Sequence, residues 1–362
     1  MARRMRSGGQ GARWLLLSLC VLLLLSGCGQ KKAAFSARDF VMDTLLTQQL
    51  YGADQESAEA AACAVVAALK EQENRLSAFS DKSEIGQINR AQGEPVVVSR
   101  ETFALIQRAL TYSLESAGCF DVTVYPLSRL WKQTLSDGVL PSEAAVKKAR
   151  EQVDFRAVRL DESKKTVTLP AGAGLDLGAV AKGAALESAQ ACYKEAGVNG
   201  AICSLGGSAM LVMGQKPDGS AFRIGVRNPF SQDSTDFFAV LQVRDRVLST
   251  SGTYERCREI DGYLVHHVLD LSTGKPAESD LASVTVLGQD GAACDFLSTR
   301  LFLAGFSEAK ELVKQQGLSA VLVSQDRRVF VTEDLAPDFS VTDIISRFES
   351  YWNSGYRLLQ RI

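Results

Sequence analysis

Gly200-Ala201-Ile202-Cys203-Ser204-Leu205-Gly206-Gly207-Ser208-Ala209-Met210-Leu211-Val212-Met213 is the stretch on which the reading of the fold turns. Two apolar runs, 200–204 and 209–213, flank a glycine pair, the pattern of two strands joined by a turn. Further strands are expected at 222–226, 238–243, 264–269 and 283–287, and a last hairpin near 319–331. Only two helices punctuate this series, Ala179 to Ala196 and Asp295 to Gln316. Strand therefore follows strand, which predicts an α+β domain of largely antiparallel sheets with flanking helices. The regular strand-helix alternation of a doubly wound sheet is absent.

Toward the N-terminus, residues 39–51 alternate as one strand, and Gly52-Ala53-Asp54 turns the chain into an alanine-rich helix running to about Phe79, with Asp54 as its cap. Residues 80–93 read as polar loop and 95–99 as a short strand. A second helix spans Glu101 to Ala117, and Gly118 stops it. Residues 158–169 predict a hairpin closed over Asp161 to Lys165. No repeat and no Pro/Gly-rich linker divides the chain, so residues 39–362 are read as one compact domain.

Arg3, Arg4, Arg6 and Arg13 precede an apolar run from Trp14 to Leu25 broken only by Ser18. That run falls short of the roughly 20 residues a membrane span requires, and its basic flank fits an export signal over residues 1–27. Leu25-Ser26-Gly27-Cys28 resembles the box of bacterial lipoprotein signals, with cleavage before Cys28 and a palmitate-type lipid on it. The alternative is an ordinary cysteine behind a soluble-protein cleavage site. Residues 28–38 then form a lipidated tether, and the expected location is extracytoplasmic, anchored to the bacterial membrane. The Arg3-Arg4 pair leaves the twin-arginine route open.

Removing residues 1–27 lowers the 40 basic residues to 36 against 42 acidic ones, a formal charge of −6, so nothing recruits nucleic acid. An apolar share of 46% is ample for a buried core. Cys63, Cys119, Cys192, Cys203, Cys257 and Cys294 are scattered without a C-x-x-C pair, which argues against zinc and for mostly free thiols.

Four clusters hold the residues that a core does not require. In Gly118-Cys119-Phe120-Asp121-Val122-Thr123-Val124-Tyr125-Pro126-Leu127 an acid follows an aromatic on an extended segment, where the plainer reading is a helix stop and a strand. In Gly172-Ala173-Gly174-Leu175-Asp176-Leu177-Gly178-Ala179-Val180-Ala181-Lys182-Gly183 a glycine-rich turn feeds a helix. Its amides and Lys182 suit phosphate oxygens, although the spacing matches neither well-known phosphate loop. Adjacent His266 and His267 on a strand would face opposite sides, so at most one of them suits a site as a neutral base, and the plainer reading is a hydrogen-bonded structural pair. Asp295, Ser298 and Thr299 share one helix face and offer hard oxygens to a cation such as Mg²⁺. The plainer reading of Asp295 is a helix cap.

Taken together and in this order, the clusters resemble those of the FAD:protein FMN transferases, the ApbE family. The resemblance adds Met42-Asp43-Thr44, Leu76-Ser77-Ala78-Phe79, Ser83-Glu84-Ile85, Ile88-Asn89, Leu205-Gly206-Gly207, Asn228-Pro229, Thr250-Ser251-Gly252 and Thr273-Gly274, and spans nearly the whole mature chain. It implies a T-fold-like core and FAD contacts from Met42, Phe79, Cys119, Phe120, Asp121, Asp176, Lys182 and Leu269. It also implies Mg²⁺ held by Asp295, Ser298, Thr299 and the Ala179 carbonyl, with His267 as the base. Asp43 stands where the family often has glycine, and Cys257 where a bulkier residue is common. The implied reaction moves FMN from FAD to a threonine or serine hydroxyl of an exported acceptor through a phosphoester, with AMP leaving. The implied acceptors are flavin-bearing subunits of membrane electron-transfer complexes. Rival readings are an FAD diphosphatase giving FMN and AMP, and a non-catalytic FAD-binding lipoprotein. A nucleotide-dependent oxidoreductase built on the 172–183 glycines is disfavoured by their spacing.

Overall fold

The computed structural model describes residues 35–341 and 357–359. The expected export signal, Cys28 and the tether up to residue 34 lie outside the described residues. In chain order the elements begin with β1 (Phe35–Val41), β2 (Thr44–Tyr51), α1 (Gln55–Leu76), α2 (Glu84–Arg90), β3 (Val96–Val97), α3 (Arg100–Glu115), α4 (Tyr125–Asp137) and α5 (Glu143–Arg150). There follow β4 (Arg159–Asp161), β5 (Thr166–Thr168), α6 (Gly178–Glu195), β6 (Gly200–Leu205), β7 (Ala209–Gly214), β8 (Phe222–Arg227), β9 (Phe237–Val243) and β10 (Arg246–Gly252). The chain continues through β11 (Arg258–Ile260), β12 (Tyr263–Val265), β13 (Leu269–Asp270), β14 (Lys275–Pro276), β15 (Leu281–Gly288) and α7 (Gly291–Gln316). It closes with β16 (Ser319–Ser324), β17 (Arg328–Val331), β18 (Phe339–Val341) and β19 (Arg357–Leu359).

The frame is a nine-stranded sheet in the order β1-β2-β6-β7-β10-β15-β16-β17-β19. Every pairing in it is antiparallel except β17 with β19. Its central strands are buried on both faces, as Leu281 to Leu287 of β15 are throughout. One face packs on α1, α6 and α7 through Leu69, Tyr193 and Phe302. The other is covered by a three-stranded sheet, β18-β9-β8, whose β8 turns Phe222, Ile224 and Val226 inward in strict alternation. A further apolar layer, including Ile106, Leu175 and Phe296, joins α3 to α6 and α7. The antiparallel α+β expectation holds. No helix among the described residues is long and apolar enough to cross a membrane.

Several local expectations need correction. Residues 39–51 are not one strand but the tip and second arm of a hairpin beginning at Phe35, inside the expected tether. Met42 and Asp43 form its two-residue turn with φ of 55° and 56°, the left-handed pair that a tight hairpin requires. The expected loop at 80–93 contains α2, capped by Ser83 Oγ, which accepts the Gly86 N–H at 2.9 Å. The segment after Gly118 is not extended. The Asp121 carboxylate accepts the Thr123 N–H at 2.7 Å and bends the chain, and Pro126 opens α4. The strand expected at 264–269 is interrupted at the histidines: Val268 N–H donates to His266 Nδ1 at 3.3 Å, and β13 starts only at Leu269. α7 begins earlier than Asp295, capped by Asp290, whose carboxylate accepts the Ala293 N–H at 2.7 Å. Asp295 thus lies one turn inside the helix and is not its cap.

Two helices meet unusually closely in the middle of the frame. A Cβ on Gly183 of α6 would stand 1.9 Å from the Gly291 carbonyl oxygen, and one on Gly291 of α7 would stand 2.1 Å from the Gly183 oxygen. Only glycine permits this backbone contact, and it fixes α7 against the first turns of α6.

Candidate active site

A cavity of about 560 Å³ opens where α6, α7 and β10 converge. Asp295, Ser298 and Thr299 reach it from α7, and Ala179 and Lys182 from α6. Met42, Phe79, Cys119, Phe120 and Asp121 line another side, and Asp176, His267 and Leu269 complete the wall. Every residue expected to touch FAD, hold the metal or act as the base therefore borders one space, whereas His266 does not.

At its floor Asp295 is 5% exposed. One carboxylate oxygen accepts the Gly183 N–H at 2.7 Å, and the other accepts the Ser249 hydroxyl. Burial raises its pKa above the ordinary carboxylate range, with Lys182, Ser249 and the Gly183 amide opposing the shift. In a regular helix the Gly183 N–H would serve the Ala179 carbonyl alone. Its bond to Asp295 means that carbonyl shares its donor, which suits it to a cation. Ser298 and Thr299 direct their protons back to the Asp295 carbonyl at 3.0 and 3.3 Å, so their lone pairs face outward. Ser251 Oγ lies 2.9 Å from Ser298 Oγ and 3.2 Å from Thr299 Oγ1. The result is a cradle of hard oxygens with a single carboxylate, the donor set that fits a small divalent cation completing its shell with phosphate and water. Among the described residues no group of three or more His, Cys, Asp or Glu gathers to bind a metal.

The two histidines separate as their alternation implies, though not on a strand. His266 is 2% exposed. Its Nε2 donates to the Ala277 carbonyl at 3.1 Å and its Nδ1 accepts from Val268, a structural clasp. His267 opens onto the cavity. Its Nδ1 lies 3.2 Å from the Glu255 carbonyl oxygen. A carbonyl only accepts, so Nδ1 carries the proton and Nε2 of the neutral ring is left as an acceptor. The enclosing walls, then the charges of Lys182, Arg256 and His266, push its pKa down to about 4.

Two expected FAD contacts have carboxylates already at work in the scaffold. Asp121 accepts from Thr123 N and Oγ1 at 2.7 and 2.6 Å and from Phe155 N at 3.0 Å. Asp176 accepts the Gly178 N–H at 2.9 Å, so it answers the first amide of α6 that a phosphate would seek. Asn89 grips Leu175 at both backbone atoms, at 2.7 and 3.0 Å, and so places that turn. That leaves Lys182, one turn inside the helix, as the cation of this wall that an anion could meet. At the mouth Phe79 is 41% exposed, with Lys132 Nζ 3.8 Å above its ring centroid.

Reading the sequence missed Ser208, Ser249 and Lys132 and gave no site role to Ser251, Glu255 or Arg256, all tied to the site. For Ser249 and Ser251 a signal existed. They flank Thr250 at the two-residue period of a strand and so share one face.

The α+β frame and its oxygen-lined cavity define the class. The chain superposes on the ApbE protein of Thermotoga maritima with a TM-score of 0.77 at 27% identity, covering 84% of this chain and 99% of that one. The flavin transferase ApbE of Vibrio cholerae shares the fold with a TM-score of 0.74 at 22% identity, covering 84% and 99%. The chain belongs to the ApbE family, whose sequence model matches residues 42–322. Two proteins named FAD:protein FMN transferase are similar over almost their whole length. One from Treponema pallidum is 31% identical over 344 residues, 90% of this chain and 94% of that protein. One from Klebsiella pneumoniae is 31% identical over 328 residues, 90% and 97%.

Proposed function

We propose that this chain is an FAD:protein FMN transferase that uses Mg²⁺ to move FMN from FAD onto a threonine or serine hydroxyl of an exported acceptor, forming a phosphoester and releasing AMP. The relatives bearing that name support the reaction class. The observation that carries the reading is one cavity combining an oxygen-only cradle, Lys182, and a His267 whose Nε2 is an acceptor. The basic and apolar N-terminal pattern ending in Cys28 supports export and a lipid anchor. That placement suits flavin-bearing subunits of membrane electron-transfer complexes as acceptors.

Asp295, Ser298, Thr299 and the Ala179 carbonyl would hold the metal, which when bound supplies a Lewis acid to the diphosphate oxygens. Lys182 neutralises the same diphosphate as a compact point charge. Phe79 and Met42 offer an apolar surface to the flavin ring. The acceptor hydroxyl attacks the FMN-side phosphorus, forming the new P–O bond while the P–O bond to AMP breaks. Its proton passes to Nε2 of His267, and AMP leaves with the bridging oxygen.

The test is to incubate the detergent-solubilised full chain with FAD, Mg²⁺ and an exported flavoprotein subunit, and to weigh the acceptor. A gain of one FMN mass, lost when Mg²⁺ is chelated, is expected. Release of free FMN and AMP without a gain on the acceptor would make the enzyme a diphosphatase instead.

A further inference from the structure

His267 is oriented at Nδ1 by the backbone carbonyl of Glu255, and that carbonyl must itself be held in place. It lies on the loop from β10 to β11, where Arg256 is left-handed at φ 47°. Such a backbone conformation persists only where its surroundings over-determine it. On the other side of Glu255 stands Tyr254, and its ring is gripped at two places. The guanidinium carbon of Arg227 lies 4.5 Å from the ring centroid, a stack that suits a planar cation. At Gly252 a Cβ would stand 2.6 Å from Cε1 of the same ring, so a side chain there would push the ring away. Arg227 is aimed by a slip in the sheet. Val226 pairs with Ala239 but Arg227 with Phe237, a bulge at the end of β8, and bulges re-aim side chains beside active sites. Arg227 Nε is buried with no hydrogen-bond partner among the described residues, a cost that the ring face offsets in part.

We propose that Arg227 and Tyr254 form a strut that positions the base: the ring fixes the Glu255 carbonyl, the carbonyl keeps the proton on Nδ1 of His267, and Nε2 is thereby kept as the acceptor. The chemistry this serves rests on the transferase reading above, whereas the tautomer is a property of the ligand-free chain. Neither Tyr254 nor Arg227 lines the cavity, so both are positioning residues that act through His267. Through β8 the three-stranded covering sheet thus reaches the chemistry. His266 is a built-in reference. Its Nε2 donates to Ala277 and its Nδ1 accepts from Val268, the opposite tautomer, and these two are the only histidines of the chain.

The experiment is nitrogen NMR of isotope-labelled histidine in the untagged, ligand-free full chain near neutral pH, paired with single-turnover transfer. Wild type is expected to show one histidine of each tautomer. Tyr254→Leu should turn the Nδ1–H signal into a tautomer mixture. It should also slow transfer about 10- to 30-fold, part of the 10²–10⁴-fold that a positioned base supplies, with KM for FAD unchanged. Tyr254→Phe keeps the ring and both of its contacts, so it should restore both readouts. No Nδ1–H tautomer in wild type, or a pure one in Tyr254→Leu, overturns the proposal, because a residue that only supports the fold would lower the melting temperature and leave the tautomer alone. A Tyr254→Phe chain as slow as Tyr254→Leu overturns it too, since the hydroxyl and not the ring would then be at work. Should Tyr254→Leu fail to fold, Arg227→Met removes the cation, leaves the ring and carries the same test, with an expected loss of about threefold in rate. A His267→Ala chain that transfers at the wild-type rate would remove the base reading itself, whatever the tautomers show, and with it the role of the strut.

Discussion

The floor and the mouth of the cavity are built on opposite rules. At the floor, α6 and α7 touch backbone to backbone at Gly183 and Gly291, and both Asp295 oxygens are bonded to the protein. At the mouth, Met42, Asp43 and Arg256 are non-glycine residues held at φ of 55°, 56° and 47°. The contact between them is one bond from the Arg256 guanidinium to the Asp43 carbonyl at 3.3 Å. Buried groups satisfied on all sides are costly to move, whereas exposed, strained backbone with few contacts opens at low free energy. The floor is thus held by backbone contact and satisfied side chains, whereas the mouth is a left-handed turn in which Asp43 is exposed and only Met42 packs on the core.

The most damaging way to break this contrast is Gly183→Ala. The added methyl meets the Gly291 backbone, which has no flexible end to yield, so the helices must separate and the Asp295 bond is lost with them. A destabilisation above about 4 kcal/mol is expected, visible as a large fall in melting temperature. A melting curve like wild type would mean that the contact is not needed to hold the floor.

Asp295→Ala removes the one carboxylate of the cradle and should abolish both transfer and hydrolysis. It also strands the Gly183 N–H and Ser249 hydroxyl, at a stability cost of about 1–3 kcal/mol. Calorimetric titration with Mg²⁺ plus FAD should show the metal-dependent heat lost while circular dichroism keeps the wild-type signature. Retained turnover at ordinary Mg²⁺ would place the metal elsewhere.

The histidine pair sharpens the contrast within a single dipeptide. His267→Ala should slow transfer by about 10²–10⁴-fold, the usual worth of a positioned base, with FAD affinity little changed. His266→Ala removes the clasp on Ala277 and Val268, so it should lower stability more than rate. Single-turnover assays and melts on both variants decide it, and the roles are reversed if His266→Ala is the one that stops chemistry.

The pH dependence follows from the same geometry. In the ligand-free chain His267 falls from its ordinary 6.5 to about 4, and His266 moves in the same direction. Between those two values the unfolded chain binds a proton that the folded chain does not. Stability therefore rises with pH across that window and is lost as pH falls through it. kcat/KM, which reports the free enzyme, should therefore fall only at acid pH and not between pH 7 and 6. A rate that instead declined between pH 7 and 6 would assign the base to a group of ordinary histidine character.

How much of this was legible depended on whether the cause was local. The α1 cap at Asp54, the stop at Gly118 and the hairpin over 158–169 are read from adjacent residues and hold. α2 was hidden because seven residues display little periodicity. α4 was hidden because Val122, Thr123 and Val124 favour a strand until the Asp121 side chain bends them and Pro126 starts a helix. The site residues were legible where they sit in compact motifs such as 176–183 and 295–299. Ser249 against Asp295 and Ser208 against Lys182 were not, because each bond joins elements that only the folded sheet brings together.

The smallest expected effect lies at the mouth, in Asp43→Gly. Val41 pairs with Thr44, so the hairpin turn is Met42-Asp43 alone, and both residues must be left-handed. Holding an L-residue there costs about 1–2 kcal/mol that glycine avoids. Glycine also loses more freedom on folding, about 0.5–1 kcal/mol, so the two terms largely cancel. A net gain of about 0.5 kcal/mol, within the spread of those two terms, is expected from chemical denaturation. The Asp43 carbonyl remains to receive Arg256 in either case, because that bond is made by the backbone. A clear loss of stability on Asp43→Gly would show that the aspartate side chain holds the turn, and the mouth would then be built by the same rule as the floor.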